Sequence, residues 1–307
     1  MMIVLAATML QTACSSDDER TEGDDLMALT IDVVETDWTS EAFNVSTRAG
    51  ETIDGLKAIV DPANPADGEG FGIFSSALLG PTASTQRQVT WNAATGQWNA
   101  GQRIYWKRIS TSDKFDLFAY APYKSTPYTL DTSTGILTFP ATDTDGKNTD
   151  LLYAGTKVDR IDGLAMLEFR HALAQISFGT ITNNTGEAIT LNSITLTGSL
   201  HQSGMLNLST GEWSGQTAYD PASKTFTRTI DTDSGTEGNQ PLAIANGAVK
   251  SLDIASFILI PGPTVTITLE IGRTTGTETF SFNTTLERGK NKTYNITVEK
   301  NFEVVIQ

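Results

Sequence analysis

The chain has 307 residues, enough for two domains of ordinary size, and with 39% hydrophobic and 19% charged residues it has the composition of a folded protein. A formal net charge of −15 repels phosphate backbones and anionic headgroups, which disfavours nucleic-acid partners and electrostatic membrane docking. One cysteine, Cys14, and two histidines, His171 and His201, exclude an intramolecular disulfide and a zinc site of four cysteines or of two cysteines and two histidines.

Residues 1–13, MMIVLAATMLQTA, are almost wholly apolar. The run is too short to span a bilayer as a helix and fits the apolar region of an export signal. No positive residue precedes it, which points to a start a few residues upstream. Leu10-Gln11-Thr12-Ala13-Cys14 resembles the lipobox of bacterial lipoproteins, in which the cysteine is acylated and becomes the first residue of the mature chain. Residues 1–14 are therefore read as a signal ending in a lipidated Cys14, with acyl chains as the anchor. Ser15 to Asp25 are polar and mostly acidic, which suits a solvated tether.

Leu29 to Val34 reads as a strand, and Val45 to Gly50 as an exposed polar turn. An exposed arginine in such a turn, Arg48, is one of many candidate protease sites. Residues 15–48 thus form a tether and a first strand. Beyond them the pattern is strand, turn, strand, with Thr, Ser and Gly abundant and no sustained helical periodicity. Phe115, Leu117 and Ala119 alternate on one face, as do Val265, Ile267, Leu269 and Ile271, then Tyr294, Ile296 and Val298, then Phe302, Val304 and Ile306. Turns at Ala94-Thr95-Gly96, Thr134-Gly135 and Thr210-Gly211 read as β-hairpins, glycine supplying the positive φ. The segment Gly155 to Gly163 divides two strand-rich halves, 49–160 and 161–307. Each has the size of a sandwich of about 100–150 residues.

His171 shares parity with Leu167, Phe169 and Leu173, so it reads as a hydrogen-bonded histidine on a buried face, and His201 reads as a loop residue. Asp143, Asp145 and Asn148 resemble the start of a calcium loop, but Ala154 stands where the closing glutamate belongs. Asp61, Asp67 and Glu69 likewise read as an acidic surface loop. The chain has no GxSxG, HExxH or phosphate-binding glycine loop. Trp38, Trp91, Trp98, Trp106 and Trp213 could stack on sugar rings, but on alternating strands they read as core or hairpin-face residues. No catalytic residue, metal or cofactor is expected.

Several ordered segments together resemble the fimbrillin family, the fimbrial subunits of Bacteroidales type V pili. They are the signal at Cys14, Thr47-Arg48-Ala49, Phe71-Gly72-Ile73-Phe74, Ile104-Tyr105-Trp106-Lys107 and Phe115 to Pro122. Asp150 to Ala154, Phe169 to Ile176, Phe257 to Pro261 and Gly289-Lys290 before Tyr294 follow in the same order. The resemblance implies an all-β fold of two transthyretin-like β-sandwich domains in tandem. It also implies export to the outer-membrane surface as a lipoprotein, removal of the N-terminal strand by an Arg-specific protease after Arg48, and a groove that accepts a strand from another fimbrial subunit. Residues 29–45 suit the removed strand, and Phe302, Val304 and Ile306 suit the donor. Many relatives continue past the last strand with a Trp-containing segment, whereas this chain stops at Gln307, so stalk, anchor and tip positions stay open. A host or bacterial surface ligand is a further expected partner. The alternatives are a monomeric surface lipoprotein that binds glycans or a host protein and, last, a surface hydrolase on a β scaffold.

Overall fold

The computed structural model describes residues 26–28, 30–35, 39–40, 70–79, 86–92, 94–95, 97–100, 105–107, 114–124, 128–140, 146, 148–159, 164–219, 224–228, 241–252 and 256–307. Among them the chain is all-β, with no helix. The earlier strands are β1 (Leu26–Ala28), β2 (Thr30–Glu35), β3 (Thr39–Ser40), β4 (Phe71–Phe74), β5 (Leu78–Leu79), β6 (Arg87–Asn92), β7 (Gln97–Asn99), β8 (Tyr105–Lys107), β9 (Lys114–Ala121), β10 (Thr129–Asp131), β11 (Ile136–Pro140), β12 (Leu152–Asp159) and β13 (Leu164–His171). The later ones are β14 (Ala174–Asn183), β15 (Ile189–Gly198), β16 (His201–Asn207), β17 (Trp213–Ala218), β18 (Lys224–Arg228), β19 (Leu242–Ile244), β20 (Val249–Ser251), β21 (Phe257–Leu259), β22 (Thr264–Arg273), β23 (Gly276–Thr285), β24 (Lys290–Val298) and β25 (Val304–Ile306).

The first large sheet has the order β2-β13-β12-β9-β4-β6-β7. One of its faces buries Phe71, Ile73, Val89, Phe115, Leu117, Ala119, Ala165, Leu167 and Phe169 in a single cluster, which Leu78 of β5 joins. β5 belongs to a small sheet ordered β1-β8-β5. A second sandwich faces the path β20-β14-β24-β25 against β18-β15-β22-β23. Its core takes Ile176, Phe178, Ile181 and Ile296 from one sheet and Leu191, Ile194, Ile267 and Leu269 from the other. The period-two patterns explain these layers. Val265, Ile267, Leu269 and Ile271 of β22 all point inward, as do Ile296 and Val298 of β24.

A further sheet, β10-β11-β16-β17, joins strands that lie far apart in sequence. β16 runs antiparallel to β11, with Leu206 opposite Leu137 and Asn207 opposite Ile136. Its inner residues Leu137, Phe139 and Leu206, with Leu208 just past β16, cover Phe74, Phe118, Tyr120 and Tyr153 on the outer face of the first sheet. β9 is therefore buried on both faces from Leu117 onward. β13 pairs with β12 and β2, so residues 164–171 join the strands that precede residue 160.

The three anticipated hairpins are β6–β7, β10–β11 and β16–β17. Each opens on an Asx turn. The Asn92 side-chain carbonyl accepts from Ala94 N–H at 3.0 Å, Asp131 accepts from Ser133 N–H at 2.9 Å, and Asn207 accepts from Ser209 N–H at 2.9 Å. Side-chain hydrogen bonds from Ser133 and Thr134 draw the exposed Asp131 carboxyl down to about 2. Gly135 (φ 70°) and Gly211 (φ 72°) close two of these turns. A Cβ would strike the Phe118 ring at Gly135 and the Tyr153 hydroxyl at Gly211, so conformation and space both require glycine there. Gly96, in the remaining turn, lies outside the described residues.

Candidate strand-exchange site

The outer strand of the first sheet comes from the extreme N-terminal part of the chain. β2 lies parallel to β13 over six pairs, from Thr30 opposite Leu164 to Glu35 opposite Phe169. β13 alternates strictly: Ala165, Leu167, Phe169 and His171 are buried, while Leu164, Met166, Glu168 and Arg170 face out. Val33 is 8% exposed and joins the core of the first sheet, with half-buried Ile31 against it. Beneath them Phe169 meets Phe71 edge-on at 5.0 Å, and Phe71 meets Trp98 at the same distance. β2 therefore fills a seat made by a strand more than a hundred residues away, through backbone pairing and alternate side chains.

The same N-terminal stretch touches two other sheets. β1 runs antiparallel to β8, with Leu26 opposite Lys107 and Ala28 opposite Tyr105. β3 runs parallel to the start of β24, with Thr39 opposite Lys290 and Ser40 opposite Asn291. The described residues of this stretch thus pair with strands of three different sheets. The sequence marked the strand near Leu29 but not β1 or β3, because strands of two or three residues show no alternation. β2 is the partner of the β13 edge from Leu164 to Phe169, and Val33 shares the core of Ala165, Leu167 and Phe169.

The C-terminal alternating residues are docked on their own domain. β25 pairs antiparallel with β24, placing Ile306 opposite Ile296 and Val304 opposite Val298. Asn295 N–H donates to Gln307 O at 2.8 Å, and Gln307 N–H returns a bond to Asn295 O at 2.9 Å. Phe302, Val304 and Ile306 are half-buried and pack against the second core, and Val305 is exposed. β25 is an outermost strand of its sheet path and adds only three residues to it.

Cys14, Arg48, Ala49, Asp143 and Asp145 lie outside the described residues, as do Asp61, Asp67 and Glu69. Asn148 is buried, and its side-chain amide donates to Ile258 O at 2.8 Å, a structural tie between the two sandwiches. His171 is buried with Nδ1 2.6 Å from Asp150 Oδ2, as its parity suggested. His201 Nδ1 lies 3.2 Å from Pro261 O; it opens β16 and is not in a loop. Trp213 donates its indole N–H to Ala172 O at 2.8 Å, and Trp91 packs edge-on against Trp98 at 5.4 Å. Nothing is described for the side chains of Trp38 and Trp106. Among the described residues, no three histidine, cysteine or acidic side chains converge as metal ligands.

No curated protein sequence matches this chain. A crystal structure of a candidate cell-adhesion protein from Bacteroides ovatus is 19% identical with a TM-score of 0.50, covering 92% of this chain and 95% of that one. Another such protein, from Bacteroides uniformis, is 17% identical with a TM-score of 0.49, covering 94% and 98%. A fimbrial assembly protein from Parabacteroides distasonis is 10% identical with a TM-score of 0.35, covering 92% and 100%. The first of these likenesses bears on the fold. Residues 57–307, most of the chain, match the model of the family described as Fimbrillin-like. The matched residues contain every strand from β4 to β25, and the chain belongs to the fimbrillin-like family.

Proposed function

We propose that this protein is a subunit or adhesin of a surface fimbria, assembled when proteolysis after Arg48 removes the N-terminal strands and a strand of another subunit takes their seat. The observation that carries this reading is β2 itself. It is a parallel edge strand held on β13 by backbone pairing, with Val33 in the core and Ile31 packed against it. A strand from another chain can supply the same two kinds of contact, backbone bonds and alternate apolar side chains. Val304 and Ile306 repeat the spacing of Ile31 and Val33, which supports β25 as the donor, whereas Phe302 lies in the turn before it. To be donated, β25 must first leave β24. The chain is read as two sandwich domains in tandem. The pairing of β13 with β12 supports drawing their division after His171 instead of at residue 160.

The location follows from Cys14, which we assign as the lipidated residue anchoring the subunit at the outer-membrane surface. Cys14→Ser is expected to abolish labelling by metabolic fatty acid and to shift the protein out of the membrane fraction. Unchanged labelling and unchanged fractionation rule the assignment out.

Electron microscopy before and after controlled arginine-specific cleavage tests the main reading. Filaments or a ladder of oligomers are expected only after cleavage. A protein that stays monomeric when cut, and whose tryptophan fluorescence is quenched by a sugar, would instead be a glycan-binding lipoprotein. Trp91 and Trp98, at the far edge of the first sheet, would then be its platform. The edge-on packing of Trp98 on Phe71 favours the structural role.

A further inference from the structure

We infer that Arg273 is a latch that holds the C-terminal strand on its own domain. The turn between β24 and β25 is built unusually. Phe302 N–H donates to Glu299 O at 2.8 Å, Glu299 N–H donates to Glu303 O at 2.9 Å, and Phe302 has a φ of 58°. Glycine or asparagine takes that left-handed conformation most readily, and a bulky aromatic residue seldom does. Turn geometry alone therefore does not account for phenylalanine here.

Its ring does. The Arg273 guanidinium carbon lies 3.7 Å from the centroid of the Phe302 ring, a close cation–π stack. Arg273 ends β22, in the sheet facing β24 and β25, so the stack bridges the two layers of the sandwich at one end. Two carboxylates flank the guanidinium, Glu278 through a hydrogen bond and Glu187 as an ion pair. Glu187 Oε1 lies 3.4 Å from Nε, and Glu278 Oε1 lies 3.2 Å from Nη1. Thr274 donates its hydroxyl to the other Glu187 oxygen at 2.6 Å. Asn184 donates its backbone N–H to Val298 O at 2.8 Å and its amide to Glu299 at 3.3 Å. Three connections, β14–β15, β22–β23 and β24–β25, thereby close on one another. β25, only three residues long, gains through Phe302 a hold that its own ladder is too short to supply.

The latch stands on this geometry alone. Only its consequence, that Arg273 sets how readily β25 can be given away, rests on the fimbrial reading above. The test is hydrogen exchange of residues 299–307 in the full uncleaved chain. Arg273→Ala removes the cation. Phe302→Leu keeps a side chain in the same strained turn but removes the ring. Each is expected to speed exchange of the Gln307 amide by about five- to tenfold, with the amides of β15 and β22 unchanged. The double variant should exchange no faster than the faster single one, because both lose the same contact. Unchanged exchange in the two single variants overturns the latch, and so does a double variant whose effects multiply. Polymer growth is read separately. Faster exchange of β25 with growth that survives deletion of residues 302–307 would leave the latch standing and overturn β25 as the donor.

Discussion

The Arg48→Ala protein, incubated with an arginine-specific protease under conditions that polymerise the parent, is expected to remain a folded monomer. While residues 26–40 are in place, β13 has its neighbour from Leu164 to Phe169, and Val33 closes the core. Excision leaves a row of unpaired backbone groups beside Ala165, Leu167 and Phe169, each at most 1% exposed in the intact chain. Such an edge is unfavourable in water and pairs with any strand of matching alternation. It also removes the strand paired with Lys290 and Asn291 at the start of β24. Deleting residues 302–307 from the cleaved protein is expected to block donation but not acceptance, so it should cap growing chains. Size-exclusion chromatography with gel electrophoresis reads both outcomes. Normal growth by the Arg48→Ala protein sinks the cleavage model. Normal growth after the deletion sinks only the choice of donor.

Phe169→Ala is expected to cost about 3–5 kcal/mol of folding stability, the range for truncating a fully buried aromatic side chain. Phe169 is 0% exposed and stacks edge-on against Phe71, which in turn meets Trp98. Its loss opens a cavity under β2, so the N-terminal strand should also exchange its amides faster than in the parent. Met166→Ala, one row over on the same strand but 58% exposed, should change stability by less than about 0.5 kcal/mol. Urea unfolding monitored by tryptophan fluorescence measures both. A loss below about 1 kcal/mol at Phe169 would mean that the β2 seat is not part of the core it lines.

Much of the site was legible as strands and faces. Leu167, Phe169 and His171 share one parity in the sequence and one buried face in the fold. Val265 to Ile271 and Ile296 to Val298 behave the same way. The hairpin turns carry a further local signal. Asn92, Asp131 and Asn207 each stand four residues before a Thr-Gly glycine, and each caps its hairpin through its own side chain. Other features left no trace. Phe118 and Tyr120 fall on the face that alternation assigns to solvent, yet both are buried, because the sheet of β10, β11, β16 and β17 covers them. Asp150 and Arg273 carry no local mark of their partners His171 and Phe302, which lie 21 and 29 residues away in sequence.

By itself the sequence determined that the chain is built of strands, which face of most strands is apolar, where several hairpins turn, and that an apolar segment precedes an acidic stretch. Those properties are local: side-chain period, φ preference and solvation act within a few residues. Only the tertiary structure decided which strands are neighbours. Backbone N–H and C=O groups are alike at every residue, so alternation selects a face but no partner. That β2 lies parallel on β13, that β3 reaches β24 and that β25 folds back under Arg273 all depend on long-range packing, where shape and total burial choose among strands whose ladders are chemically equivalent.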